Sequence, residues 1–295
     1  MKLEVRHSYK WDDRPHVIVR PMSTFGWYWS DPVNLQAAIS VLVDGLMFTA
    51  CRHRPDGKEH DYYTEHDDFA GVEIQLLAAT VLAVGYEEGV IAPYPIAESF
   101  AVDYDGDLTS HPFQTEVAAA LRVEMRSLRR VVAAPHVPTG EDDRDSYQQH
   151  HRPLDHDRLA CMFSAIDSSD DLLMRGLLAL VKSRMIAMHS EFAEEANYAL
   201  YLALDALFSL TRRHLRKCGN PDPSSYAAQV FIHDLFGQEQ SGQRFFEDFY
   251  DERVMTMHPE NRFGIFRHAP LSHCDFHTLF EDVREVYREL VLLGS

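Results

Sequence analysis

The residues whose types and spacing suggest chemistry lie in one stretch, 244–264, which reads RFFEDFYDERVMTMHPENRFG. Arg253, which is always charged, precedes His258 by five residues, and histidine is the side chain that titrates nearest neutral pH. A fixed cation and a proton carrier are suited to reactions at a phosphate group. The stretch therefore indicates phosphate chemistry.

The spacing also predicts the local geometry of this pair. Residues five apart on a straight helix differ by roughly 140° in direction, so a continuous helix would hold the two side chains apart. Pro259 disfavours the helical conformation for His258, and we expect a helix to end there with the ring free to turn toward Arg253. The alternative is a surface arginine beside a histidine that interacts with the helix dipole, because this spacing often arises by chance.

The elements that must position the stretch are predicted to be helices. Apolar periodicity predicts helices over 170–188, 191–218 and 226–236, and a final helix from about Ser272 to Leu293. Gly219 and the two prolines that follow it predict a firm end to the second of these helices. The candidate residues would thus lie between a short helix and the last helix of the chain.

This arrangement resembles the higher eukaryote and prokaryote nucleotide-binding (HEPN) family, whose members place an R-x4-6-H motif before the last helix of a small bundle. The resemblance covers the C-terminal half and implies an endoribonuclease that needs neither metal nor cofactor. It implies that Arg253 holds the scissile phosphate and that His258 transfers protons to or from the 2′-hydroxyl or the leaving oxygen. It further implies a homodimer, and a role as a toxin or anti-phage effector.

Three further residues are candidates for supporting the motif. Asn261 and Arg262 follow His258 in a predicted polar turn. Asp205 has apolar neighbours three and four residues away along its helix, so its carboxylate is expected to need a partner, for which Arg253 is one choice and a nearby base such as Arg212 another. The sequence departs from the commonest active pattern of the family at Val254, where a polar residue often follows the arginine.

Composition restricts the classes of partner. The 295 residues include 28 basic and 46 acidic side chains, a formal net charge of −18, which argues against general coating of nucleic acid and against attraction to anionic membranes. RNA would need a local basic patch, for which the C-terminal half offers Arg212, Arg213, Arg216, Lys217, Arg253, Arg262, Arg267 and Arg284. Four separated cysteines and the absence of an apolar leader or span predict free thiols and a cytoplasmic protein without a membrane partner.

The predicted fold class is mainly α, with two domains. Residues 1–150 are expected to form an α+β domain that recognises a regulatory protein or ligand, and residues 151–295 the HEPN-like helical domain. Within the first domain we predict a strand over Val17–Arg20, a turn at Pro21, and helices over 32–51, 71–84 and 113–134. The polar stretch 135–158 is the expected boundary.

Two other functions compete with the nuclease. The first is a HEPN-like module with an inert motif, used for dimerisation or for binding a nucleotide or partner protein, and Val254 favours it. The second is a metal-dependent hydrolase built on the histidine-rich stretches 53–66 and 150–157. Those stretches lack the i, i+4 spacing that fixes ligand geometry on a helix, so solvated loops without a metal are the preferred interpretation.

Overall fold

The structure is a computed structural model. It describes residues 4–6, 16–25, 28–29, 33–35, 38–43, 46–53, 74–84, 92–95, 99–127, 152–153, 155–187, 190–236 and 271–294. The chain divides into two compact units, Met1–Ile166 and Asp167–Ser295, which we call unit 1 and unit 2. Residue 150, the predicted domain boundary, lies outside the described residues.

Unit 1 is built on an antiparallel sheet. Its strands are β1 (Glu4–Arg6), β2 (His16–Phe25), β4 (Val33–Leu35), β5 (Ala38–Val43), β6 (Leu46–His53), β7 (Ala92–Pro95) and β8 (Ser99–Val102). They lie in the order β1-β8-β2-β6-β5-β4, and β7 also pairs with β2. A separate two-stranded parallel pair joins β3 (Tyr28–Trp29) to β9 (Arg152–Pro153).

The predicted helix over 32–51 is wrong, because this part of the chain forms β4, β5 and β6. Val43 pairs with Leu46, so the connection between β5 and β6 is the dipeptide Asp44-Gly45. Asp-Gly between apolar runs is a strong hairpin signal, and β5 carries β-branched residues at every second position, which favours a strand. The many apolar residues suggested a buried helix, whereas a strand covered on both faces shows the same composition.

The predicted turn at Pro21 is also wrong, since β2 runs unbroken from His16 to Phe25. On one side β2 pairs with β6 along its length, and Pro21 faces Phe48 there. On the other side the β8 register covers Val17–Val19 and the β7 register begins at Met22. Pro21 therefore lies at the change of partner, where its missing N–H removes no ladder hydrogen bond on that side.

The described residues of unit 1 include the helices α1 (residues 74–83), α2 (His111–Ser127) and α3 (His156–Ala165). The first two confirm the helices predicted over 71–84 and 113–134. Residues of α2 pack with one face of the sheet around Val19, Phe48 and Phe100 to form the core of the unit. Burial of this apolar surface is the main stabilising contribution to the unit.

Helices α1 and α3 each provide a side-chain donor to backbone carbonyl oxygens at the end of the other. The Gln75 side chain near the start of α1 donates to the carbonyl oxygens of Phe163 and Ile166 at the end of α3, at 2.8 and 3.2 Å. Arg158 near the start of α3 donates to the carbonyl oxygen of Ala83 at the end of α1, at 3.1 Å. Helix-end carbonyls need such donors, so these bonds fix α3 to unit 1.

The described residues of unit 2 form α4 (Asp171–Ile186), a 3-10 turn (Ser190–Phe192), α5 (Ala193–Lys217), α6 (Ser225–Phe236) and α7 (His273–Leu292). All four α-helices confirm the predicted ones. Local signals set their ends: the side chain of Ser272 caps α7, and Gly219 follows α5 with φ +97°.

Among the residues whose side chains are described, most are helical, and the strands that pair at the centre of unit 1 are antiparallel. The described residues therefore form a mainly α structure with an antiparallel sheet, which confirms the predicted mainly-α class. No helix of the described residues combines the length and apolar character that crossing a bilayer requires.

Helices α4, α5 and α7 meet closely at Gly176. The hydroxyl of Tyr287 on α7 donates to the carbonyl oxygen of Ala203 on α5 at 2.7 Å. A Cβ atom at Gly176 would overlap that hydroxyl and lie 2.8 Å from Cβ of Ala206. Tyr287 is fully buried, and burial raises the pKa of its phenol, so the hydroxyl remains a hydrogen-bond donor. The glycine thus permits the three-helix contact.

We predict that Gly176→Ala destabilises unit 2 by about 1–3 kcal/mol, because overpacking outweighs the roughly 1 kcal/mol that alanine normally gains over glycine within a helix. Urea denaturation followed by circular dichroism measures the change. Adding Tyr287→Phe removes the overlapping oxygen and should recover part of the loss. A Gly176→Ala protein at least as stable as the wild type would contradict this packing.

Candidate functional site

The predicted catalytic residues lie outside the described part of the structure. Helix α6 ends at Phe236 and α7 begins at His273, and the intervening 237–270 are not among the described residues. Arg253, His258, Asn261 and Arg262 all belong to that stretch. Their roles stay predictions, and the structure fixes only the helices that precede and follow them.

Asp205 is the one predicted site residue that the structure describes. It lies in the middle of α5 and is half-buried. Tyr201, one turn before it, is fully buried, whereas Leu202 is 54% exposed. Asp205 therefore stands at the border between the packed and the exposed faces of α5. Its support of Arg253 stays a prediction.

Two arginines at the end of α5 are occupied by contacts within unit 2. Arg213 forms a bidentate ion pair with Asp170, with Nη1 at 3.0 Å from Oδ1. Arg212 donates to the carbonyl oxygen of Pro223 at 2.9 Å. By contrast, Arg216 and Lys217 are exposed. Of the basic residues on α5, these two are the best placed to meet an anionic partner.

Asp170 joins the ends of α4 and α5. Its Oδ1 accepts hydrogen bonds from the backbone N–H groups of Leu172 and Leu173, as an N-cap does. The hydrogen bonds from Arg213 are the main reason that the pKa of Asp170 lies below its ordinary value of 3.8. Their stabilising effect is present above that pH and is lost on acidification through the lowered pKa.

Five charged side chains form what we call the α7 charged cluster: Arg184 from α4, and Glu281, Arg284, Glu285 and Arg288 from α7. Arg284 is 1% exposed and Glu281 is 4% exposed. Nη2 of Arg284 lies 2.5 Å from Oε2 of Glu281 and 3.1 Å from Oε1 of Glu285. Arg288 donates to the same oxygen of Glu285 at 3.1 Å. Buried charges of this kind are costly unless they are well paired.

The pKa values of two acidic side chains in this part of α7 are raised, and burial is the main cause. Burial raises the pKa of Glu281 to about 7, although Arg284 and Arg184 act in the opposite direction. Burial, and then the charge of Glu285, raise the pKa of Asp282 to about 6. Burial also lowers the pKa of Arg184, whose guanidinium carbon lies 5.7 Å from the centre of the Phe280 ring. Perturbed groups of this kind are often found at functional sites, though structural ion networks produce them too.

Sequence reasoning missed this cluster, although one signal was present. Arg284 stands four residues after Phe280 and three before Tyr287, and both of those side chains are fully buried. A charge at that spacing lies on the apolar face of the helix. The exposed, solvated arginine that composition suggests is therefore a buried one.

Acidic side chains that could bind a metal ion instead accept hydrogen bonds from the backbone. Asp155 caps α3 by accepting from the N–H of Arg158 at 2.9 Å, and Asp107 accepts from the N–H of Thr109 at 2.9 Å. Within the described ranges, no group of three or more His, Cys, Asp or Glu side chains is arranged to hold a metal ion. The histidines of the two histidine-rich stretches that lie outside those ranges are His60, His66, His150 and His151.

We predict that Asp170→Ala destabilises unit 2 by about 1–2 kcal/mol at neutral pH, because both the cap and the ion pair to Arg213 are lost. Asp170→Asn retains a capping side chain and serves as the matched variant, which should lose less. Chemical denaturation at neutral pH ranks the three proteins. Equal stability of the alanine variant and the wild type would contradict the structural role.

Comparison with known proteins identifies no family. The chain matches no protein-family model, and no curated protein or solved structure is similar to it. The function is therefore argued from the residues and the helices that carry them.

Proposed function

We propose that the C-terminal half is a metal-independent endoribonuclease of the HEPN type, in which Arg253 and His258 cleave RNA. The chain would act as a homodimer that brings two motifs to one cleft, as the resemblance implies. A role as a toxin or anti-phage effector is part of the same proposal.

One observation carries the proposal: the Arg253/His258 motif lies between a short helix and the last helix of a helical unit. Among the described helices, α5, of 25 residues, and α6, of 12 residues, precede the motif along the chain, and α7, of 20 residues, follows it. That order is the one on which the resemblance rests. It gives the motif two helices between which a catalytic turn can be held.

The proposed reaction needs only groups that the chain supplies. The 2′-hydroxyl attacks the adjacent phosphorus, and the 5′-oxygen of the next nucleotide leaves, which yields a 2′,3′-cyclic phosphate and a 5′-hydroxyl. Arg253 neutralises the charge that develops on the phosphate oxygens, and His258 moves a proton at the attacking or the leaving oxygen. Asp205, Asn261 and Arg262 would orient these two side chains.

Local charge supports RNA as the substrate class. The chain carries a net charge of −18, so RNA would be repelled by most of its surface. Arg216 and Lys217 are exposed at the C-terminal end of α5, in the same unit as the motif. A small basic area on an acidic protein favours a selective nuclease over one that cleaves any RNA.

Val254 favours a second candidate, a HEPN-like module that does not cleave RNA. A valine after Arg253 removes a polar side chain that active members of the family often carry there. Such a module would use the helical unit to dimerise, or to bind a nucleotide or a partner protein.

We predict that the wild-type protein cleaves RNA in the presence of EDTA and leaves 2′,3′-cyclic phosphate ends. His258→Ala should lower the rate about 100-fold to 10,000-fold, the usual contribution of a general acid or base. Arg253→Ala should lower it about 100-fold to 1,000-fold, the loss typical when a group that stabilises developing charge is removed. The ends are identified by their resistance to ligation through a 3′-hydroxyl until the cyclic phosphate has been opened and the resulting phosphate removed.

Two substitutions of the same types serve as controls. His111→Ala removes an exposed histidine in unit 1, and Arg175→Ala removes an exposed arginine on α4. Both should cleave at the wild-type rate, and circular dichroism should show all variants folded. Wild-type cleavage that EDTA abolishes would support the metal-dependent hydrolase. A wild-type protein that binds RNA without cleaving it would support the inert module.

A further inference from the structure

The α7 charged cluster lies where α4 and α7 pack together, and the nuclease proposal does not use it. We infer that this packing depends on a proton: Glu281 is protonated when the two helices are packed, and the contact weakens as Glu281 ionises. This inference concerns the helical unit itself and does not rest on RNA cleavage.

The carboxylate of Glu281 lies close to the guanidinium of Arg284, but the two groups are not in hydrogen-bond geometry. Its side chain is 5% exposed, and Nη2 of Arg284 lies 2.5 Å from its Oε2. Within the described residues, neither carboxylate oxygen of Glu281 has a donor in hydrogen-bond geometry, and Nε of Arg284 likewise has no acceptor. An ionised carboxylate buried in this way lacks the bonds that would offset its desolvation.

The positive charge near Glu281 is shared with a second carboxylate. The same Nη2 of Arg284 donates to Oε1 of Glu285 at 3.1 Å. Glu285 also accepts from Arg288, so it is the better satisfied of the two acids. Glu281 therefore shares Arg284 with Glu285. Protonation of Glu281 would remove a buried negative charge that lacks hydrogen bonds.

The charged groups around Glu281 come from both helices. Arg284 and Arg184 favour its ionised form, whereas Glu285 and Asp282 oppose it. Nδ1 of His277, which is 46% exposed, lies 3.9 Å from Oε1 of Glu281. From α5, no charged side chain of the described residues is among the groups that shift the pKa of Glu281. Burial has a larger effect on the pKa of Glu281 than any of these charges, and it raises that pKa.

The pKa of Glu281 gives the direction and the pH range of the effect. Burial raises that pKa from 4.5 to about 7 in the folded protein. Stability from this group is fully present below the unfolded pKa and is lost as the pH rises through the folded one. For these two values, raising the pH from about 5.5 to 8.5 increases the unfolding equilibrium constant about 30-fold through this one proton.

The test is urea denaturation of the full chain between about pH 5.5 and 8.5, at one fixed protein concentration. Circular dichroism at 222 nm follows the helices, most of which belong to unit 2. The three tryptophans, Trp11, Trp27 and Trp29, all lie in unit 1, so their fluorescence follows that unit separately. The helical transition should show the pH dependence described for Glu281.

The decisive comparison is between the wild type and Glu281→Gln, a neutral mimic of the protonated acid. Ionisation of Glu281 raises the unfolding constant of the wild type about 30-fold between pH 5.5 and 8.5, and the glutamine variant lacks this contribution. The ratio of the two unfolding constants should therefore change about 30-fold over this range, whatever their difference in stability near pH 5.5. Glu289→Gln removes a more exposed carboxylate from the same helix, so it should keep the wild-type pH dependence.

A second variant covers the case in which Glu281→Gln does not fold. Arg184→Leu removes a charge that favours ionised Glu281, so its destabilisation relative to the wild type should be larger near pH 8.5 than near pH 5.5. Titratable groups that do not interact with Glu281 or Arg184 are present in both proteins and cancel in the comparison. Parallel pH profiles for the wild type and whichever variant folds would overturn the inference.

Discussion

The hydrogen bond from Tyr287 to the carbonyl oxygen of Ala203 is the constraint on which unit 2 depends. It brings α7 close to α5, and Gly176 of α4 is the residue that leaves room for the hydroxyl. Arg284, three residues before Tyr287, and Glu281, six residues before it, are buried on the same helix. The apolar spacing around Arg284 puts it on the packed face, and close packing excludes water from it.

Arginine has a structural use in both units. Arg52 and Arg158 donate to backbone carbonyl oxygens in unit 1, and Arg213 holds the aspartate that caps α4 in unit 2. A guanidinium has five N–H donors in a planar fork, which suits it to helix ends and turns. Among the described basic residues of α5, Arg216 and Lys217 are the exposed ones.

The proposed nuclease and the proton-dependent packing involve neighbouring parts of one unit. Arg253 and His258 lie in the stretch before α7, and Glu281 lies on α7 itself. The proposed cleavage would depend on two side chains with a fixed spacing along the chain, whereas the proposed proton dependence concerns the solvation of a buried acid. The two properties can therefore be separated by substitution, since each rests on its own residues.

The sequence by itself determined the helices of unit 2 and their ends, because capping residues, helix breakers and apolar periodicity act within a few residues of one another. Ser272, Gly219 and the 226–236 pattern each led to a correct prediction. The same reasoning failed over 32–51, where an apolar composition fits a buried helix and a buried strand equally until pairing partners are known. The spacing of Arg253 and His258 indicated phosphate chemistry but did not determine where the two side chains lie in the fold. Only the tertiary structure decided that Arg284 and Glu281 are buried, because periodicity identifies the face of a helix but not what packs against it.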